Sequence, residues 1–426
     1  MINFVFNRLL PLVLVVGFLF GCKSTRLNTK LKKTLNLDFY DNQFTGFLVY
    51  NPKSQDTIFS YNSDKYFTPA SNTKLITLYT GLSLLPDSIP AFKYSINNDT
   101  ISLLGTGNPT FLHSYFKDST AYRMVQPYKH VKILVNNLED EKFGPGWAWE
   151  DYDTYFSPER SSFPMYGNVL TITKASSALQ CEPEILSKSI KNIPNNKNRN
   201  YNENVFYSNL KSGDTLEVPM VIHDSLIGEL WANLLKKEVT IIPYSGEKMQ
   251  HLAYGIPSDS LYKRMMLLSD NFLAEQILIM SSSTLSDTLS SKRIRNYMLN
   301  DKLNDLKQLP RWVDGSGLSR YNLFTPTSFV QILTKLYNEI PEDRLFNLFP
   351  VGGKSGTLKR YYAGKDGSYI YAKSGTVGNN YSLSGYLITN SGETLIFSFM
   401  NNHYTKPTTE VKRHMESIFE WIRDHY

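Results

Sequence analysis

The chain is poor in several features that would place it quickly. Only two of its 426 residues are cysteine, Cys22 and Cys181, too few for the disulfide framework of a small secreted scaffold. It has no His-Glu-x-x-His, and its seven histidines are scattered without metal-ligand spacing, so no metal or other cofactor is expected. No Gly-x-Ser-x-Gly elbow occurs, which sets aside the hydrolases built on that turn. Low-complexity tracts are missing, and the net charge of +6 comes without a dense basic run beyond residue 33. Nucleic acid is therefore not an expected partner. The apolar run after Arg8, LLPLVLVVGFLFG, is about 13 residues long, below the ~20 that a membrane span needs.

That short run suits the core of a signal peptide, residues 1–21. Leu19-Phe20-Gly21-Cys22 resembles a bacterial lipobox, in which the Cys is acylated and becomes the first mature residue, although Phe20 is bulkier than the usual small residue there. The alternative is an ordinary signal peptide with an incidental Cys. Residues 22–36 are polar and basic and read as a lipidated tether beside an anionic membrane. With lipid on Cys22, Cys181 has no disulfide partner and reads as a small apolar residue rather than a nucleophile.

What is present is an ordinary globular composition, 41% hydrophobic and 20% charged, with 28 tyrosines. FTGFLVYNPKSQDTIFSYNSD reads as a β-hairpin. PASNTKLITLYTGLSLLPD gives a helix opening near Ser71, with Leu75, Leu78, Tyr79 and Leu82 on one stripe. Residues 94–215 carry short strand-like runs and an Asn-rich loop, NIPNNKNRNYNEN, expected to be mobile. Helical periodicity returns in HDSLIGELWANLLKK and SLYKRMMLLSDNFLAEQILIMSS. Three strand candidates and an amphipathic helix close the chain. The pattern predicts one discontinuous α/β domain, residues 37–93 with 216–426, whose sheet joins the N-terminal hairpin to the C-terminal strands. Residues 94–215 are then a β-rich insertion.

Lys-Ser-Gly-Thr occurs twice, from Lys354 and from Lys373. Gly353-Lys354-Ser355 imitates the end of a phosphate loop, but Leu348 stands where the first glycine is required and Pro350 intervenes, so no phosphate cradle forms. What remains is Ser-x-x-Lys, Ser-x-Asn and Lys-Ser/Thr-Gly, the elements of a serine acyl-transfer site. Each recurs by chance: Ser-x-x-Lys starts at Ser71, Ser114, Ser208, Ser245 and Ser260, and Ser-x-Asn at Ser60, Ser95 and Ser269. Context selects among them. Ser71 alone opens a long apolar helix, where Lys74 lies one turn along and the helix N-terminus favours a developing oxyanion. Ser269-Asp270-Asn271 falls between two helical runs and supplies a hydroxyl and an amide. Lys373 ends an alternating run and precedes a Gly-Asn-Asn turn, an edge-type strand able to pair with an extended peptide. Lys354 falls in a loop. The bland alternative is an N-cap serine, two linker residues and a solvated lysine.

At these residues the sequence resembles the DacB-like penicillin-binding proteins, D-alanyl-D-alanine carboxypeptidases and endopeptidases of peptidase family S13. FTPASNTKLIT, LLGTGNPTF, GWAWEDY, SSFPMYGN, LLSDNFLAEQIL, VDGSGLSRYNLFTP and AKSGTVGNNYSLSGYL carry the resemblance over about residues 40–405. The first Lys-Ser-Gly-Thr falls on the family's Gly-Thr-Leu-x-x-Arg stretch, with Arg360. Asn108 stands where the family commonly has Asp, Ser374 replaces the usual Thr, and the insertion looks shorter than in larger members.

The resemblance implies the penicillin-binding, serine β-lactamase-like fold, an antiparallel sheet flanked by helices. It also implies that Ser71 attacks the carbonyl between two D-alanines of a peptidoglycan stem peptide and that Lys74, held neutral, takes its proton. Backbone N–H groups of Ser71 and Thr376 would form the oxyanion hole. Ser269 would relay the proton to the leaving amine and Asn271 hold the substrate amide, while Lys373, Ser374 and Thr376 would hold the terminal carboxylate. β-Lactams would acylate Ser71, and the enzyme would sit on the periplasmic side of a bacterial envelope, anchored through Cys22. A serine β-lactamase is the competing enzyme, but YMLNDKLNDLKQLP lacks the Glu expected in that setting. A non-catalytic cell-wall-binding lipoprotein is the alternative of another class.

Overall fold

The computed structural model describes residues 27–426 except 177 and 366. The signal segment and Cys22 lie outside the described residues, among which no helix is long and apolar enough to cross a membrane. The chain divides into two compact units. One runs up to Leu75 and adds Leu306–Arg311 and Asn322–Tyr426; the other comprises Ile76–Asp305 and Trp312–Tyr321.

The first unit is built on an antiparallel sheet that unites the two ends of the chain, as the sequence predicts. The hairpin strands are β1 (Phe44–Asn51) and β2 (Asp56–Tyr61); the C-terminal strands are β3 (Ile370–Val377), β4 (Asn380–Ile388) and β5 (Thr394–Asn402). Their order is β3-β4-β5-β1-β2, so β3 is an edge strand. Of the helices, α1 (Lys74–Leu84) runs from the first unit into the second, α2 (Ser258–Leu268) and α3 (Asn271–Ser282) belong to the second, and α4 (Pro326–Glu339) and α5 (Thr408–His425) belong to the first.

Alternation along the strands gives the sheet two different faces. Phe47, Val49, Phe59, Leu383, Phe397 and Phe399 share a core with Val411, Met415, Ile418, Phe419 and Ile422 of α5, which recur at helical spacing. Each such side chain, fully buried, stabilises by roughly 1.5–3 kcal/mol. The other face takes α4, where the Tyr386 hydroxyl donates to the Leu333 carbonyl at 2.9 Å. Thr325 caps α4 from the Ser328 N–H at 3.0 Å, and Pro326 occupies its first turn.

The second unit holds a mixed sheet in the order Val239–Pro243, His130–Val135, Thr100–Gly105, Ser88–Asn97, His251–Pro257. A three-stranded sheet of Thr215–Pro219, Val169–Ala175 and Ala178–Glu182 joins it. The Asn-rich loop differs from expectation, because it is anchored. Arg199, buried at its middle, donates from Nε to the Pro219 carbonyl at 2.7 Å, and a buried guanidinium must find acceptors. Cys181 is a half-buried free cysteine whose thiol is pushed up by burial and by Glu184, the opposite of an activated nucleophile. The architecture is thus mixed α/β, with antiparallel sheets and helices.

Candidate active site

Ser71 stands one step before the helix rather than on it. Ala70–Thr73 form a 3-10 turn, and α1 begins at Lys74. In a 3-10 turn side chains three apart eclipse one another, which stacks Lys74 over Ser71; Lys74 Nζ donates to Ser71 Oγ at 3.0 Å. Ala70 enters the turn at φ +47°, which costs a residue with a Cβ about 1–2 kcal/mol. A buried polar ladder holds the turn to the sheet: Asn72 Nδ2 donates to Ser384 Oγ at 2.7 Å, and Ser384 Oγ to Ser398 Oγ at 2.8 Å. Beyond the turn, α1 is buried on every side from Lys74 to Gly81 instead of along one stripe.

Lys373 lies opposite Ser384 in the β3–β4 register, and so on the face that meets this turn. Lys74 and Lys373 are both 0% exposed. Burial first, and the Lys74 charge second, push the Lys373 ammonium well below the ordinary lysine value. Its Nζ donates to the Ser374 carbonyl at 2.7 Å. Two residues along, only glycine fits: a Cβ on Gly375 would lie 2.3 Å from the Pro69 carbonyl oxygen and 3.0 Å from the Ser71 nitrogen. The bare Cα lets β3 close on the backbone at Ser71.

The outer edge of β3 is half covered. Ala372 N–H donates to the Pro350 carbonyl at 3.1 Å, Gly352 N–H to the Ile370 carbonyl at 2.9 Å, and Val351 bridges to Tyr371. The covering chain then turns away through Gly353, at φ +70°. Ser374 and Thr376 share the parity of Ile370 and Ala372, so their backbone groups point outward past the cover.

The first Lys-Ser-Gly-Thr follows this cover and is a loop, as expected. Lys354 is exposed in the turn. Ser355 Oγ accepts from the Val351 N–H at 3.0 Å, and Gly356–Leu358 form a 3-10 turn whose Leu358 is buried. Thr357 Oγ1 lies 2.7 Å from Ser374 Oγ. The two copies therefore touch through their hydroxyls, which no local sequence signal announces.

Ser269 and Asn271 belong to the second unit. They flank the junction of α2 and α3, with Ser269 in the left-handed region at φ +58° and Asp270 capping α3 from the Leu273 N–H at 3.0 Å. Asp270 also pairs with Arg264 at 3.7 Å, and Asn271 Nδ2 donates to the Phe156 carbonyl at 3.1 Å. One turn along α3, buried Glu275 accepts from the N–H groups of Gly315 and Ser316 at 3.0 and 2.7 Å. Asp314 accepts from Gly317 N–H at 2.9 Å and Trp147 Nε1 at 2.9 Å. Burial, and then the Asp314 charge, push the Glu275 carboxyl up to about 7, against the Arg160 guanidinium 3.4 Å away. These contacts tie GWAW, the helix that follows SDN, and VDGSGLS into one support for the junction. Among the described residues no group of His, Cys, Asp and Glu could hold a metal ion.

Over residues 27–207 and 242–423 the chain matches the D-Ala-D-Ala carboxypeptidase 3 (S13) family. It belongs to that family. This S13 chain is accordingly a serine-type carboxypeptidase, a hydrolase of the penicillin-binding group that acts on peptidoglycan. It is 22% identical over 437 residues to penicillin-sensitive carboxypeptidase A of Dictyostelium discoideum, covering 85% of this chain and 83% of that one. It is 26% identical over 197 residues to D-alanyl-D-alanine carboxypeptidase DacB of Haemophilus influenzae, covering 43% of this chain and 40% of that one. The crystal structure of penicillin binding protein 4 (dacB) from H. influenzae superposes with a TM-score of 0.68 at 17% identity, over 92% of this chain and 98% of that one. The same protein complexed with a β-lactam gives 0.62, at the same identity and coverage.

Proposed function

We propose that the S13 chain cleaves the bond between the two terminal D-alanines of a stem peptide, or a D-alanyl cross-link, with Ser71 as nucleophile. The observation that carries this reading is the Lys74-to-Ser71 hydrogen bond of 3.0 Å beside a second buried lysine. Ser71 Oγ adds to the carbonyl carbon while its proton passes to Lys74, which must be neutral to accept it. A dry site holds two ammonium charges poorly. The substrate's terminal carboxylate, arriving at Lys373, favours the proton there and leaves Lys74 the neutral member. N–H groups of Ser71 and Thr376 stabilise the oxyanion. The C–N bond then breaks, Ser269 passes a proton to the leaving amine, and Asn271 holds the substrate amide. Ser374 and Thr376 join Lys373 at the carboxylate. Water cleaves the acyl-enzyme and restores Ser71. β-Lactams acylate the same serine.

We further infer that residues 94–215 are an insertion in a discontinuous catalytic domain, and that Cys22 carries the lipid that anchors the enzyme on the periplasmic side. Intact mass after incubation with benzylpenicillin tests the first reading. A persistent adduct absent from Ser71→Ala is expected. A fleeting adduct with the drug consumed points to a β-lactamase instead, and no adduct in a folded protein to a binding module. For the anchor, a Cys22→Ala chain still extracted with membranes would sink the lipid assignment.

A further inference from the structure

The first Lys-Ser-Gly-Thr copy brings a hydroxyl to the second. Thr357 is exposed on its 3-10 turn, and its Oγ1 lies 2.7 Å from Ser374 Oγ. The turn is fixed on both sides, since Gly353 N–H donates to the Leu358 and Tyr361 carbonyls at 3.1 and 2.8 Å. Ser368 Oγ donates to the Gly352 carbonyl at 2.8 Å. Contact with the strand is thus imposed by backbone, and is no accident of a free side chain.

A serine hydroxyl has one proton and two acceptor sites. When an anionic carboxylate binds Ser374, that single proton must point at it, and the serine oxygen is left to accept from elsewhere. We propose that Thr357 is a positioning residue for the S13 reaction: its hydroxyl donates to Ser374 Oγ and so commits the Ser374 proton to the substrate's terminal carboxylate. Hydrogen bonds in such a chain polarise one another, and the last, to a charged oxygen, gains most. This inference rests on the reading of Ser374 as a carboxylate donor.

The test compares acylation rate constants for benzylpenicillin and for its methyl ester, which lacks the carboxylate charge. The full chain, Thr357→Val, Thr357→Ser and Ser374→Ala are measured side by side, the ester at whatever excess gives a measurable rate. In Thr357→Val the acid-to-ester ratio should fall about 3- to 10-fold, the span of one lost hydrogen bond, and Thr357→Ser should restore it. Equal losses on both compounds would mark Thr357 as merely structural and overturn the proposal. So would an unchanged ratio in Thr357→Val while Ser374→Ala lowers it. If Ser374→Ala leaves the ratio unchanged, the carboxylate reading itself is what fails. The ester rate also reports whether each variant keeps a folded site.

Discussion

The two Lys-Ser-Gly-Thr copies have the same four residues and opposite surroundings. Lys354 is exposed in a turn, whereas Lys373 is fully buried on β3. Ser355 holds its own loop through the Val351 N–H at 3.0 Å, and Ser374 presents its hydroxyl beside Thr357. Gly356 allows a left-handed backbone at φ +57°, while a Cβ on Gly375 would lie 3.0 Å from the Ser71 nitrogen. The tetrapeptide has no chemistry of its own. The strand confers it, by taking a lysine out of water next to another lysine.

The contrast can be broken position by position. At the lysines, Lys373→Ala should slow acylation by penicillin about 10²- to 10⁴-fold, the scale of losing a positioned charge in a dry site. Lys354→Ala should stay within about twofold, as surface changes do; equal effects would mean the wrong copy has been assigned. At the glycines, Gly375→Ala should lose about 10- to 100-fold and roughly 1–3 kcal/mol of stability, because its Cβ meets backbone atoms that cannot yield. Gly356→Ala should cost about 1 kcal/mol in denaturant melts with little change in acylation. At the serines, Ser374→Ala should lose about tenfold on carboxylate-bearing substrates, and Ser355→Ala should lower stability by about 1 kcal/mol without touching the acylation rate.

The buried lysine also leaves a mark on stability. Lys373 gives up its proton more readily folded than unfolded. Below roughly pH 10.4, the ordinary lysine value, the unfolded chain therefore holds more protons, and Lys373 costs stability. The cost grows as pH falls until the folded residue is itself protonated. In urea melts scanned across pH, Lys373→Met should thus stabilise the inactive enzyme by about 1–2 kcal/mol near neutrality, with the gain shrinking as pH rises and gone above about pH 10.

The sheet that unites hairpin and C-terminal strands was legible because each strand carries its own alternation and turn signals. The turn that carries Ser71 was legible in part. Three-residue spacing foretells a Lys74–Ser71 contact on any helical turn, but nothing in Pro-Ala-Ser-Asn-Thr reveals a 3-10 turn entered through a left-handed alanine. Asn72, Ser384 and Ser398 were illegible for another reason: Asn72 and Ser384 lie 312 residues apart in sequence, and serines in a strand look solvent-facing until the turn arrives to cover them. Thr357 was hidden in the copy read, rightly, as a loop. A segment can lack the motif's chemistry and still serve the motif.

The cover over half of β3 bears on how this enzyme stays dispersed. An open sheet edge invites the edge of another molecule, and long, flat edges are where soluble proteins begin to aggregate. A hydrolase that reads extended peptides needs such an edge and cannot blunt it all. Here residues 350–352 close the upstream half and leave the outward groups of Ser374 and Thr376. That opening suits a short peptide end and falls well below the six or seven residues from which cross-β stacks grow. The same loop that lends the strand a hydroxyl also keeps its adhesive length to what one substrate uses.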